Sequence, residues 1–306
     1  MNPLARSAAA LVLGVLTLCP STVTPAQQAP AASEDVGTPL DLPLRLSSLI
    51  NHTGISVPDV TASALFYSKL FGGDKVGGEM VPMPNGQPPS ARYFLFVDDA
   101  NVAIGLLGTL GSAGQTTPLI DHIAVTAVDH DGRAWRARLK AENLRYIASE
   151  VFLDTDGIPI QVAGGVGGEA LTAVGATPAK LPVLFSGKPL TTCLGFDHIL
   201  LRVPDVEAKV AFWRRLFGVE KVERRDGIAW LSDGTRRLGF RPLRAGERPG
   251  YEYQAFRIGR VDRSKLERGL VALGARIDKR EPFDAQSTVR FTGPDGIHTV
   301  LVQGSR

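Results

Sequence analysis

Apolar positions along the chain fall into short alternating runs, separated by stretches at helical spacing and punctuated by Val-Pro-Asp and Asp-Gly. The stretch "HTGISVPDVTASALFYSKLFGG" from His52 shows the order. A short apolar strand runs into Pro58, which forbids strand continuation, and Asp59 is placed to cap the helix that follows. The same order returns from His198 in "HILLRVPDVEAKVAFWRRLFGV", where Val206, Val210, Trp213 and Phe217 recur at helical spacing and Gly218 stands where a helix usually stops. Alternating strands are predicted next: "ARYFLFV" and "NVAIGLL" in the first copy, "GIAWLS" and "RRLGFRP" in the second.

The two stretches align without a gap at a constant offset of 146, with ten identities in 22 positions. That is an internal duplication. Two more diverged segments, "IDHIAVTAVDHDGRAWRARLKAENLRYI" from Ile120 and "YQAFRIGRVDRSKLERGLVALGARI" from Tyr253, again read as strand, turn with Asp, and amphipathic helix. Both lead to an Asp-Gly turn and a last strand, in "LDTDGIPIQVAG" and "TGPDGIHTVLVQ". The chain is thus predicted to be α+β, built from four units of strand, helix and two or three strands, in two pairs.

With 306 residues there is room for about two domains, each with its own core. The apolar share of 44% and the charged share of 21% suit a globular protein, and no apolar run reaches the length of a membrane span. The net charge of +3 is spread along the chain, which leaves no footprint for nucleic acid. The N-terminus differs: Arg6, an apolar run from Ala8 to Leu18, then small residues and prolines, read as a secretory signal cleaved after Ala26 or Ala31. Secretion or a periplasmic location is the expectation. Cleavage would leave Cys193 as the sole cysteine, so stability must come from burial rather than crosslinks. The expected organisation is a signal and processing region at 1–31, a flexible segment at 32–47, a first domain at 48–165, a Gly/Pro/Thr-rich linker at 166–194 and a second domain at 195–306. The "GGVGG" of the linker lacks the glycine spacing and the following helix of a phosphate loop.

Four such units, with His near the start of the first strand and Asp-Gly turns before the last, resemble the vicinal oxygen chelate superfamily of glyoxalase I, type I extradiol dioxygenases and bleomycin-resistance proteins. The resemblance implies paired βαβββ modules, each pair curled into an incomplete barrel around a divalent metal or a ligand. By position it implies His52, His122 and Gln161 as the metal ligands of the first pair. Many relatives have Glu where this chain has Gln161, and the fourth ligand of glyoxalase-like members, expected near Gly105, has no carboxylate counterpart between Asp99 and Asp121. Two imidazoles and a neutral amide oxygen suit Zn, Fe, Ni or Mn, with weaker retention of the metal but a stronger pull on a substrate oxygen. In the second pair the matching positions are His198, Tyr253 and Val300, so its metal site is expected to be degenerate. His298 falls on the same side of the last strand as Val300, and with His198 and Tyr253 it defines a candidate second polar pocket.

Ordinary structural roles account for most other polar candidates. Asp59 and Asp205 read as helix caps, Asp156 and Asp295 as turn residues, His130 as a loop residue, and Tyr93 as strand packing. The charge-rich "RRDG" and "VDRSKLERG" read as exposed surface. The expected function is a metal-dependent lyase or isomerase that stabilises an enolate or similar anion of a small oxygen-bearing substrate. Two alternatives stand beside it: Fe(II)-dependent extradiol cleavage of a catechol-like ring, and non-catalytic sequestration of a small molecule. Whether the pairs combine within one chain or between the chains of a homodimer is left open by the sequence.

Overall fold

The computed structural model describes residues 41–72, 76–83, 88–97, 100–106, 116–128, 131–148, 150–164, 177–178, 182, 184–278 and 287–304. The predicted signal region, His130 and most of the "GGVGG" stretch lie outside the described residues.

All four units are βαβββ modules. The first comprises β1 (Leu46–Val57), α1 (Val60–Phe71), β2 (Val76–Val81), β3 (Ser90–Val97) and β4 (Ala100–Leu106). The second comprises β5 (Leu119–Ala127), α2 (Gly132–Ala141), β6 (Arg145–Ala148), β7 (Val151–Leu153) and β8 (Pro159–Gly164), and a short β9 (Thr177–Pro178) follows. The third runs β10 (Cys193–Val203), α3 (Val206–Phe217), β11 (Val222–Arg225), β12 (Ile228–Ser232) and β13 (Arg237–Pro242). The fourth runs β14 (Gly250–Ile258), α4 (Arg263–Ala272), β15 (Arg276–Ile277), β16 (Ser287–Thr292) and β17 (His298–Gln303).

Modules pair through their first strands. β1 lies antiparallel to β5 and parallel to β4, and β10 lies antiparallel to β14 and parallel to β13. One mixed sheet therefore serves each pair, in the orders β6-β7-β8-β5-β1-β4-β3-β2-β9 and β11-β12-β13-β10-β14-β17-β16-β15. The expected caps form: the Asp59 carboxylate accepts from Ala62 N at 2.9 Å and that of Asp205 from Ala208 N at 3.0 Å. Gly218 ends α3 in the left-handed region at φ 63°. The sequence "RRDG" lies at an exposed turn, as expected, with Arg224 paired to Glu207 of α3.

Part of the segment expected to be flexible is packed. Leu44 is buried, its N–H donates to Leu216 O at 2.8 Å, and β1 already begins at Leu46. The end of the expected linker is also tied down, with Leu190 N and Thr191 N donating to Lys69 O and Leu70 O at 2.9 and 3.0 Å.

The two pairs pack on each other within the chain. Aromatic contacts join them: Phe66 of α1 with Phe291, Phe71 with Phe256, and Trp135 of α2 with Phe217, at centroid distances of 6.0, 5.0 and 6.2 Å. One apolar cluster runs through both halves. Polar groups at this junction are matched as well: Thr53 Oγ1 donates to Gln254 Oε1 at 2.7 Å, and Gln254 Nε2 donates to the Tyr67 hydroxyl at 3.1 Å.

The duplication has a structural counterpart here. Lys209 of α3, only 1% exposed, reaches into the Asp-Gly turn of the second module and binds Asp154 Oδ2 at 2.6 Å and Asp156 Oδ2 at 2.7 Å. Asp154 rather than Asp156 builds that turn, accepting from Asp156 N and Ile158 N. In the first copy the position of Lys209 is Ser63 of α1, which hydrogen-bonds Asp295 in the turn of the fourth module. A hydroxyl carries no compensating charge, and Asp295 Oδ2 is buried without a hydrogen-bond partner. Burial pushes the Asp295 carboxyl up to about 6, although Ile297 N and Ser63 oppose the shift.

Since the folded value lies above the unfolded one, this carboxyl favours the folded state below about pH 4, and that contribution is lost as pH rises through about 6. Asp295→Asn keeps an acceptor for Ile297 N and removes the charge. It is expected to raise stability by roughly 2 kcal/mol at pH 8 and to change little at pH 4. Denaturant titrations at both pH values test this; an equal effect at the two would contradict it.

Candidate metal centre

Strand register brings the expected ligands together. His52 on β1 pairs with Ala124 of β5, Gly54 pairs with His122, and Ala124 pairs with Gln161 of β8. Paired residues project to the same face of a sheet, so all three side chains enter the interior of the first barrel. His122 and Gln161 are buried, and His52 is partly buried. The Gln161 side chain hydrogen-bonds to His52. His52 Nε2 and His122 Nε2 lie 3.3 Å apart, with the rings edge to face.

The partners of the other ring nitrogens decide what this contact is. Asn51 Nδ2 donates to Thr126 Oγ1 at 2.9 Å, which turns Asn51 Oδ1 toward His52 Nδ1 at 2.8 Å. His122 Nδ1 faces Asp121 Oδ2 at 3.4 Å. With both partners accepting, each ring would carry its N–H at Nδ1 and turn its Nε2 lone pair on the other. Two lone pairs that close are held by a shared cation, either a proton or a metal ion. Burial, then the adjacent His122 and Arg92, push His52 down to about 3, against a smaller opposing pull from Gln161. Ligand nitrogens 3.3 Å apart, each about 2.1 Å from one ion, subtend an angle of about 100°, between the tetrahedral and octahedral values. The donor set therefore fits a divalent metal. No group of three His, Cys, Asp or Glu side chains that could hold a metal occurs among the described residues, so a third protein donor here is the Gln161 amide.

Three features of this barrel escaped the sequence reading. Gly54 lies directly beneath the His122 ring: a Cβ there would stand 2.2 Å from Cε1 and 2.4 Å from Nδ1, so only glycine leaves the imidazole its place. Arg92 of β3 and Glu79 of β2 form a buried pair at 2.9 Å, bringing charge into the same barrel. Burial lowers the Arg92 value, while Glu79 and Asp121 raise it. Finally, every first strand carries an acceptor immediately before the functional position: Asn51-His52, Asp121-His122, Asp197-His198 and Glu252-Tyr253. That repeated dipeptide was a legible signal.

The second barrel uses the same parts differently. His198 is fully buried, and its Nδ1 lies 2.6 Å from Asp197 Oδ1, which also accepts from Arg237 Nη2 at 2.7 Å. Burial would raise the Asp197 carboxyl, but its bonds to His198 and Arg237 outweigh that and hold it at about 2. His198 Nε2 meets the Tyr253 hydroxyl at 3.1 Å. A phenolic proton thus stands where the first barrel would have a second lone pair. Around it Leu200, Ile228, Trp230, Ala255, Val300 and Val302 form an apolar cluster, with Leu200 at the position of Gly54 and Val300 at that of Gln161. The Trp230 ring packs on His198 at 5.0 Å and lies over Gly239, whose absent Cβ makes room for it. Of the candidate second pocket, Tyr253 and His298 line one cleft. His198 is sealed beneath Tyr253, while His298 is exposed and contacts Thr292 Oγ1 at 3.1 Å.

Comparison with known proteins bears on the fold. Residues 195–301 match the model of the Glyoxalase/Bleomycin resistance protein/Dioxygenase superfamily. Residues 195–301, about a third of the chain, belong to that superfamily, also called the vicinal oxygen chelate superfamily. The matched region is the half whose ligand set is degenerate; the candidate centre lies in the other half. No curated protein matches the sequence. Among solved structures, a variant of 4-hydroxymandelate synthase from Streptomyces coelicolor is similar with a TM-score of 0.58 at 13% identity, covering 85% of this chain and 94% of that one. Homoprotocatechuate 2,3-dioxygenase from Brevibacterium fuscum is similar with a TM-score of 0.55 at 13% identity, covering 89% of this chain and 85% of that one. A xylose isomerase-like TIM barrel/4-hydroxyphenylpyruvate dioxygenase fusion protein gives a TM-score of 0.50 at 13% identity over 85% of this chain, which spans half of that protein's length. At such identities the likeness establishes the vicinal oxygen chelate fold alone.

Proposed function

We propose that the first barrel is the centre of a metal-dependent enzyme acting on a small oxygen-bearing molecule. The observation that carries this reading is the pair of facing Nε2 atoms, each ring oriented through Nδ1 by its own acceptor. A bound Zn, Fe, Ni or Mn ion would supply Lewis acidity toward neighbouring substrate oxygens, favouring lytic or isomerising chemistry through an enolate-like anion. His52 and His122 would hold it through Nε2, with Gln161 as a neutral oxygen donor. Asn51 and Asp121 fix the tautomers and orientation of the rings, as outer partners of metal-binding histidines do. Arg92, paired with Glu79, offers a positive charge to anionic character developing on the substrate.

Elemental analysis of the purified protein beside the double variant His52→Ala, His122→Ala tests the reading. Near-stoichiometric metal in the parent and its loss in the variant are expected; metal in neither would overturn it and leave non-catalytic sequestration.

A second reading keeps the site and gives it oxygen chemistry on a catechol-like ring. It draws on the four-module architecture shared with the Brevibacterium fuscum dioxygenase over 89% of this chain. Iron in the protein, with oxygen uptake on a catechol, would favour it; zinc or nickel would favour the lytic or isomerising reading. We further propose that the protein acts after export, with cleavage behind Ala26 or Ala31. The intact mass of protein recovered from a secreting host tests that.

A further inference from the structure

A cleft of about 530 Å³ opens where the two halves meet, at the mouth of the second barrel. Its volume is that of a small-metabolite site. Residues 117–121 and 157–159 of the first half form one wall, and the second half supplies the rest. The lining is rich in arginine. Arg241 is fully engaged, by Glu247 at 2.6 and 2.8 Å and by Glu252. Four other guanidinium groups converge from separate elements: Arg202 at the end of β10, Arg244 and Arg248 in the loop between β13 and β14, and Arg290 on β16. Apart from the two carboxylates engaged by Arg241, only Asp121 and Asp278 among the lining residues carry negative charge.

Five arginines against four carboxylates leave the lining with an excess of positive charge, which favours an anionic guest. Of the four arginines besides Arg241, two are held in place by the fold. Arg202 Nη2 donates to Tyr251 O at 2.9 Å, and the Arg290 guanidinium lies over the Tyr253 ring at 4.7 Å. Arg244 and Arg248 stand exposed at the rim. Planar guanidinium forks, fixed below and adaptable above, match the paired oxygens of a carboxylate or phosphate.

We propose that this cleft is a second ligand site, separate from the metal centre, that takes a small organic anion bearing a carboxylate or a phosphate. The two sites are neighbours, because Asp121 lines the cleft and also meets His122 Nδ1. The test must therefore tell an anion in the cleft from one bound to a metal.

Calorimetric titration of the full-length protein with benzoate and with inorganic phosphate, at constant ionic strength, separates them. Saturable binding of at least one probe is expected. Arg244→Gln with Arg248→Gln should weaken it tenfold or more, Arg290→Gln should do likewise, and His52→Ala with His122→Ala should leave it unchanged. Binding of benzoate alone points to a carboxylate ligand, of phosphate alone to a phosphate ester, and of both to a general oxyanion site. Absence of saturable binding by either probe, indifference to the rim arginine variant, or loss in the histidine variant would overturn the proposal.

Discussion

Lys209→Ala is expected to cost about 3–5 kcal/mol of folding stability at neutral pH, among the largest effects of any single substitution outside the apolar core. The ammonium group is 1% exposed and is held between Asp154 and Asp156, two carboxylates of the opposite half. Removing it leaves the buried Asp154 carboxylate without its cation at the place where the halves join. Burial already raises the Asp154 value even with Lys209 and two backbone N–H groups opposing the shift. A raised carboxyl favours the folded state at low pH and loses that contribution as pH rises, so the deficit of Lys209→Ala should shrink on acidification. Urea denaturation at pH 7 and pH 4.5 measures both effects. A loss under about 1 kcal/mol at pH 7 would show that the ion pair is not what fixes the junction.

Gly54→Leu places in the first copy the residue that the second copy has at Leu200. Even the Cβ would fall 2.2 Å from the His122 ring, so the imidazole must swing out of line with His52. Metal affinity and activity should fall by about ten- to a hundredfold, the size of effect that follows when a ligand's support is displaced. The strand itself tolerates an inward apolar residue at this place, as β10 does. Circular dichroism and elemental analysis on one preparation separate the two outcomes. A folded variant that keeps its metal would mean that His122 is not a ligand, whereas an unfolded one would be replaced by Gly54→Ala for the same measurement.

Much of this was legible from the chain alone. The ten matched residues of the repeat mark the strand, the proline stop, the Asp cap and the helix end, and each acts locally, through backbone geometry within a few residues. The family resemblance, matched by position, likewise implied inward places for His52, His122 and Gln161. Lys209 shows the opposite case. On a helix read as amphipathic, a lysine is assigned to solvent, yet here two carboxylates 53 to 55 residues earlier in the chain receive it. Leu44, within the segment 32–47 expected to be flexible, is a similar case, since its backbone partner Leu216 lies far along the chain.

The sequence by itself determined four units of strand, helix and two or three strands, in two pairs, because hydrophobic period, caps and turns are properties of neighbouring residues. Only the tertiary structure decided which polar atoms face one another inside each barrel. That choice rests on contacts between distant strands: glycine under His122 and two facing Nε2 atoms in one, a tyrosine proton and a cluster of apolar side chains in the other.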